Sequence, residues 1–146
     1  MKYLNLILVL FLFCLSGWAV DLGKDENKNG VRDDIDSFIT KTYGPDTGKI
    51  KAATQLAMAL QAALIAGASS TPPTTVSTES ISLQLDDAIT CLGARFNYKG
   101  HGKVLVDLES LSTNTKERYM AYQAYNKSRS GTSRSSSNSD PIYSCK

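Results

Sequence analysis

The chain has 146 residues, of which 42% are hydrophobic and 21% charged, and its net charge at pH 7 is +2. This length suits one domain with a modest core, since single domains commonly have about 100–200 residues. The near balance of charge gives no overall field that would attract nucleic acid or an acidic substrate, so neither is expected as a partner.

The first 19 residues have the pattern of a secretory signal peptide. Lys2 gives a short positive start, residues 4–15 are almost wholly apolar, and Gly17 and Ala19 are the small residues expected before a cleavage site. The apolar stretch is shorter than the roughly 20 residues that a membrane-spanning helix needs. We therefore expect cleavage near Ala19, a mature chain without a transmembrane segment, and a secreted or periplasmic location.

Residues 25–36 (DENKNGVRDDID) have the spacing of a calcium-binding loop. Oxygen-bearing side chains occupy positions 1, 3, 5, 9 and 12 of this frame, and Gly30 at position 6 permits a sharp turn. Calcium takes six to eight oxygen ligands without strict geometry, and a tightly curled loop supplies them from alternate residues. The predicted ligands are Asp25, Asn27, Asn29, the main-chain carbonyl of Val31, Asp33 and Asp36.

This segment resembles an EF-hand-type calcium loop of extracellular bacterial proteins, similar to one half of a dockerin and to a thrombospondin type 3 repeat. The resemblance covers residues 25–43 and implies calcium binding by the same six residues. Three features depart from EF-hands: only residues 20–24 stand where an entering helix would be, there is no second loop, and position 12 is Asp36 rather than glutamate. The alternative interpretation is a polar turn in which Asp33, Asp34 and Asp36 complement the dipole of the following helix.

Apolar residues at helical spacing predict a small, mainly α-helical bundle of about four helices. Gly44 and Pro45 end the first helix, Asp46 or Thr47 caps the second, Gly67 ends the second, and Asn114 caps the last. The third helix is expected to start near Thr78, after a linker over residues 69–77. The predicted ranges are residues 33–43 for the first helix, 49–66 for the second, about 78–92 for the third and about 115–128 for the fourth.

Residues 95–107 are compatible with two structures. Phe96, Tyr98, Val104 and Val106 flank a Gly-His-Gly turn, which predicts a short β-hairpin over residues 96–106. A loop followed by a helix over residues 104–111 fits the same residues equally well.

Cys91 and Cys145 are the two cysteines left after the signal peptide, and in an exported protein such a pair favours a disulfide. The bridge would close a loop of roughly 55 residues and stabilise the fold by about 3–4 kcal/mol. We expect a calcium-loop and helical domain over residues 20–127. A disordered, serine-rich tail over residues 128–146 would be tethered through Cys145.

The leading functional hypothesis is an exported, non-enzymatic helical protein that binds one structural calcium ion. The second is a module that docks an envelope or extracellular protein through the loop and first helix or through Tyr119, Tyr122 and Tyr125. The third is a small secreted hydrolase. Candidates for catalysis are weak, because His101 is the only histidine and Asp86-Asp87 fits a solvated helix face.

Overall fold

A computed structural model describes residues 20–131 and 145–146, and these residues form helices without any β-strand. In chain order the helices are α1 (Asp33–Tyr43), α2 (Thr47–Ala68), α3 (Thr75–Ser112) and α4 (Lys116–Ser128). The mainly α-helical class is therefore confirmed. The predicted signal peptide and residues 132–144 of the predicted tail lie outside the described residues.

Helix α2 lies at the centre of the bundle and contacts each of the other three helices, most extensively α3 and then α4. It is rich in alanine, which favours helix and lets neighbouring helices approach closely. Its eight buried residues are Ala52, Ala53, Leu56, Ala57, Ala59, Leu60, Ala63 and Leu64. Because α2 is buried on several sides, its apolar residues form the core around which the other helices pack.

Helix α2 is longer at both ends than the predicted range of residues 49–66, and of the two predicted caps, Asp46 and Thr47, the structure has Asp46. Asp46 is the N-cap, since its side chain accepts a hydrogen bond from the Lys49 amide at 3.0 Å. Gly67 does not end the helix, which continues through Ala68. A methyl group on Gly67 would overlap the Ala121 carbonyl, so this glycine allows α2 and α4 to pack closely.

The predicted hairpin at residues 96–106 is wrong, because this segment is helical and belongs to α3. Strand-like alternation pairs Val104 with Val106, but Val106 is 65% exposed, whereas Val104 and Leu108, four residues apart, are buried. Helical spacing thus determines the structure. The other alternative is a loop followed by a helix from residue 104. In the structure the residues before 104 are helical as well, so this predicted start is too late.

A kink at Asn97 divides α3 into two helices, so the described residues contain five helices rather than about four. Asn97 has φ 58° and ψ 166°, a non-helical conformation that interrupts the helix at this residue. Its side-chain oxygen accepts from the amides of Lys99 and Gly100 at 3.1 and 3.0 Å. Asn97 therefore caps the part of α3 that follows the kink, and this cap supports helix formation in a segment that contains two glycines.

The starts of α3 and α4 also differ from the sequence predictions. Helix α3 begins at Thr75, earlier than predicted, because the Thr74 hydroxyl caps it by accepting from the Ser77 amide at 3.2 Å. The cap of α4 is Thr115 rather than Asn114, since Thr115 Oγ1 accepts from the Arg118 amide at 3.2 Å. The side chain of Asn114 instead accepts from the Arg118 guanidinium at 2.7 Å.

The predicted disulfide between Cys91 and Cys145 is present in the structure. Cys91 is fully buried on α3, and Cys145 packs against the core. Lys146 follows, with its amide donating to Gln55 Oε1 at 3.0 Å and its ammonium pairing with Asp87 at 2.9 Å. The C-terminal residues are therefore joined to both α2 and α3.

Candidate calcium loop and its supports

The loop before α1 folds back on the carboxylate of Asp25. This carboxylate accepts from the amide of Asn29 at 3.2 Å and from the amide of Gly30 at 2.9 Å. Two positive φ angles, 55° at Lys28 and 84° at Gly30, make the reversal of the chain. The predicted turn at Gly30 is therefore present, with Lys28 contributing a second turn residue that the sequence pattern did not indicate.

Asn27 and Asn29 direct their side chains to the carboxylate of Asp36 in α1. Their amide nitrogens lie 3.3 and 2.7 Å from the same oxygen, Oδ2. Their amide oxygens accept main-chain hydrogen bonds, from Asn29 at 3.0 Å and from Val31 at 2.8 Å. The structure thus brings together Asp25, Asn27, Asn29 and Asp36, four of the six residues predicted as ligands.

The remaining two predicted ligands are placed differently. Asp33 Oδ1 accepts from the amide of Glu26 at 2.9 Å, so this oxygen faces the start of the loop. Val31 is fully buried, and its side chain belongs to the core. Asp33 therefore joins the start and the end of the loop, and the Val31 side chain anchors the loop to the bundle, while the predicted ligand of Val31 is its main-chain carbonyl.

The chemistry of this residue set fits a hard cation. Amide and carboxylate oxygens are the ligands that calcium takes, and each amide oxygen retains a second lone pair beside the hydrogen bond it accepts. Within residues 20–131 and 145–146, no group of three or more His, Cys, Asp or Glu side chains is arranged to hold a metal ion. The three carboxylates of the predicted set, Asp25, Asp33 and Asp36, therefore do not form such a group in the described residues, and the two amides and the main-chain carbonyl are the other predicted ligands.

Arg32 attaches the loop to the far end of α3. Its side chain is 2% exposed and donates to the main-chain carbonyls of Leu111 at 3.2 Å and Ser112 at 3.4 Å. The same guanidinium pairs with Asp34 at 2.5 Å. Carbonyls in the last turn of a helix lack partners within that helix, so Arg32 supplies the hydrogen bonds and positive charge that the end of α3 requires.

The segment before the loop is held in place by polar side chains from two helices. Arg118 Nε in α4 donates to the Asp21 carbonyl at 2.8 Å, and Gln61 Nε2 in α2 donates to the Leu22 carbonyl at 3.3 Å. Gly23, with a φ of 88°, passes so close to Arg32 that a methyl group would overlap the arginine side chain. These contacts support the segment that precedes the loop, where EF-hands have an entering helix.

Arg32 lowers the pKa of Asp34 below its ordinary value. The side-chain hydrogen bond is the main cause, and it outweighs the opposing effect of partial burial. The Asp34 side chain is 58% exposed and the Arg32 side chain is 2% exposed, so the pair joins a surface carboxylate to a buried guanidinium.

Sequence reasoning missed the roles of both arginines. The sequence patterns assign no role to either residue. Their partners lie 79 to 97 residues away in the chain, so no local pattern identifies them as buried residues. The closest sequence signal is Gly23, because a glycine can indicate that another group packs closely against the main chain. The sequence does not show that this group is Arg32.

The tyrosines of α4 do not form a continuous exposed face. Tyr125 is fully buried, and its hydroxyl lies 3.3 Å from the Ser82 hydroxyl. Tyr122 is partly buried against the core, which raises the pKa of its hydroxyl, whereas Tyr119 is 51% exposed. Two of the three residues therefore stabilise the bundle.

The other residues considered for chemistry lie on helices. His101 Nδ1 is 3.2 Å from the Asn97 carbonyl in the kinked part of α3. Asp87 forms the ion pair with Lys146. A cleft of about 550 Å³ lies between α2 and α3, lined in part by Ile50, Met58 and Lys146. It shares no residue with the candidate loop over residues 25–36.

Among the described residues, α2 is the one helix long and apolar enough to cross a membrane. Its 22 residues are packed against α1, α3 and α4 in this fold. The same composition is that of a central core helix, which is the position α2 has here.

Comparison of the chain with protein-family models, curated proteins and solved structures found no match.

Proposed function

We propose that this chain is an exported, non-enzymatic helical protein that binds one structural calcium ion through its N-terminal loop. The observation that carries the proposal is the convergence of Asn27 and Asn29 on Asp36, beside the carboxylate of Asp25. Asp33 and the Val31 carbonyl complete the proposed ligand set. Export to the periplasm or the medium is proposed from the N-terminal sequence and would expose the loop to millimolar calcium.

The ion would neutralise a segment that carries excess negative charge. Residues 21–36 hold six acidic and three basic side chains. Calcium would supply positive charge among the carboxylates, while the chain supplies oxygen ligands on a short loop fixed to the bundle. A single loop that ends in aspartate is expected to bind with a Kd on the order of 10⁻⁴–10⁻³ M, the range of extracellular modules.

Calorimetric titration of chelator-treated protein, with thermal unfolding measured in parallel, tests this proposal. At calcium tenfold above Kd, we expect the free energy of unfolding to rise by about 1.4 kcal/mol. Asp25→Ala and Asp36→Ala should abolish this gain while retaining the helical circular dichroism spectrum.

Glu26→Gln is the matched control, because Glu26 lies in the same loop and carries the same charge, yet it pairs with Lys24 and is not a proposed ligand. It should retain calcium binding. A polar turn predicts the reverse pattern: calcium and magnesium would act alike, and millimolar calcium would leave the wild-type melting temperature unchanged. That result would refute the proposal.

A module for docking an envelope or extracellular protein is the second candidate. It is supported by the neighbouring residues Tyr119 and Met120 on α4, which are 51% and 58% exposed. A pull-down from envelope extract with wild type and Tyr119→Ala/Met120→Ala, each with and without calcium, separates this role from purely structural calcium binding.

A further inference from the structure

The two flanks of the calcium loop are both attached to the connection between α3 and α4, here called the α3–α4 corner (residues 111–118). The exit flank is attached by Arg32, which donates to the Leu111 and Ser112 carbonyls at 3.2 and 3.4 Å. The entry flank is attached by Arg118, which donates to the Asp21 carbonyl at 2.8 Å. EF-hand loops are supported by a second, paired loop. In this chain, Arg32 and Arg118 instead attach the single loop to the α3–α4 corner.

We propose that Arg32 is a positioning residue for calcium and couples the ion to the α3–α4 corner. The inference rests on the proposed function. Arg32 lies between Val31 and Asp33, both proposed ligands, so fixing its side chain fixes the main chain between them. Its side chain is 2% exposed, and such burial of an arginine requires that its donors be satisfied.

The bonding of Arg32 explains how this support can be both strong and specific. The Asp34 carboxylate accepts from Nε at 2.8 Å and from Nη2 at 2.5 Å, while Nη1 and Nη2 reach the two carbonyls of α3. The planar guanidinium serves these directions at once, which the single ammonium group of lysine cannot do. The close passage of Gly23 over the arginine side chain further restricts its position.

Coupling of this kind acts in both directions. If an ordered corner favours the binding conformation of the loop, then calcium must favour the ordered corner to the same degree. The amides of Thr113 and Tyr119 report on the corner, because they donate to Glu109 and Thr115 carbonyls at 2.9 Å. Neither residue is a proposed ligand, so a response there cannot come from direct coordination.

The test compares wild type with Arg32→Gln and Arg32→Lys by calorimetric calcium titration and by amide hydrogen exchange. Groups that orient metal ligands commonly contribute 10–100-fold to affinity, so we expect Arg32→Gln to raise the calcium Kd about tenfold. Arg32→Lys keeps the charge and should give a smaller increase. Calcium should slow exchange at Thr113 and Tyr119 in wild type and lose this effect in Arg32→Gln.

Tyr125→Phe is the control for general destabilisation. It removes a buried hydroxyl that lies 3.3 Å from Ser82, seven residues beyond Arg118 in α4. This variant should melt at a lower temperature than wild type and keep the wild-type calcium Kd. A positioning role for Arg32 is thereby distinguished from a role in stability alone.

Three outcomes would overturn the inference. A folded Arg32→Gln protein with wild-type Kd would show that Arg32 is structural only and would leave the calcium proposal intact. If Arg32→Gln does not fold, a wild-type Kd in Arg32→Lys together with no calcium effect on Thr113 and Tyr119 in wild type would have the same meaning. A wild type that takes up no calcium at millimolar concentration would refute the proposed function and this inference together.

Discussion

The first and last described residues of the chain both lie against α2, yet they are held by different interactions. At the N-terminal end, Gln61 donates to the Leu22 carbonyl at 3.3 Å, and the buried arginines Arg32 and Arg118 supply the other contacts. At the C-terminal end, the Lys146 amide donates to Gln55 at 3.0 Å directly after a disulfide. The N-terminal end is therefore held by hydrogen bonds and charge alone, whereas the C-terminal end has a covalent bond in addition to its hydrogen bond and its ion pair with Asp87.

This difference indicates which end can respond to solution conditions. A disulfide stabilises the fold whatever the pH, salt or calcium concentration, as long as it stays oxidised. Contacts between arginine, carbonyl and carboxylate groups depend on charge, and they surround the loop that we propose binds calcium. Stability that varies with calcium should therefore reside at the N-terminal end, and stability that varies with redox conditions at the C-terminal end.

Removal of the disulfide should have the largest effect. Cys91→Ser/Cys145→Ser opens a loop with a sequence separation of 54 residues and should lower the free energy of unfolding by about 3–4 kcal/mol. Urea unfolding of wild type and variant, with and without reductant, measures this loss. Reductant should lower the stability of wild type alone, and calcium should still stabilise both proteins.

The state of the thiols is checked by alkylation and intact mass. The mature protein should contain no alkylatable thiol until it is reduced. Two alkylatable thiols in freshly purified protein without reductant would contradict the prediction, because the C-terminal end would then have no covalent attachment to α3.

At the N-terminal end, Gly23→Ala should have an intermediate effect. A left-handed conformation costs a residue with a Cβ about 1–2 kcal/mol, and here a methyl group would also displace Arg32. We expect the free energy of unfolding to fall by about 2 kcal/mol, measured by urea denaturation, and calcium affinity to fall with it.

Gly102→Ala is the matched control, because Gly102 lies within α3 and a methyl group there meets no atom within 4 Å. This change should stabilise the protein by about 0.5–1 kcal/mol, as expected for alanine in a helix. Equal effects of the two substitutions would show that Gly23 is not constrained by the arginine.

Most of the secondary structure could be predicted because its signals are local. The bounds of α1 follow from isoleucines at helical spacing and from Gly44-Pro45, and the structure has the same bounds. The error at residues 96–106 arose because alternation and helical spacing both fit a short segment with two glycines. The cap at Asn97 decides between them, and a positive φ at asparagine is not visible in a pattern of apolar residues.

In the candidate site, too, the local features could be predicted from the sequence and the contacts between distant residues could not. The grouping of Asp25, Asn27, Asn29 and Asp36 follows from spacing within twelve residues, and the structure brings these four together. Calcium binding itself remains a prediction. The support from Arg32 and Arg118 could not be predicted, because a buried arginine and an exposed one look the same in sequence until the distant carbonyls are known.

The smallest expected effect concerns the charge of Asp34 at the N-terminal end. Arg32 holds the pKa of Asp34 below its ordinary value of 3.8, so the ionised carboxylate stabilises the folded state above about pH 4. This contribution is lost as the pH falls through the lowered pKa. Because the Asp34 side chain is 58% exposed, its size should stay below about 1 kcal/mol.

Asp34→Asn tests this prediction when its free energy of unfolding is compared with that of wild type between pH 7 and pH 2. The difference between the two proteins should be constant at neutral pH and shrink below pH 4, because protonated wild-type Asp34 then resembles the variant. It should also shrink in about 1 M salt, which screens exposed charges. Arg32 keeps its carbonyl partners at Leu111 and Ser112 in every case, so the bundle should stay folded. A difference that stays constant to pH 2 would mean that the Arg32–Asp34 pair contributes nothing to the charge-dependent stability of this end, which would then depend on the carbonyl contacts alone.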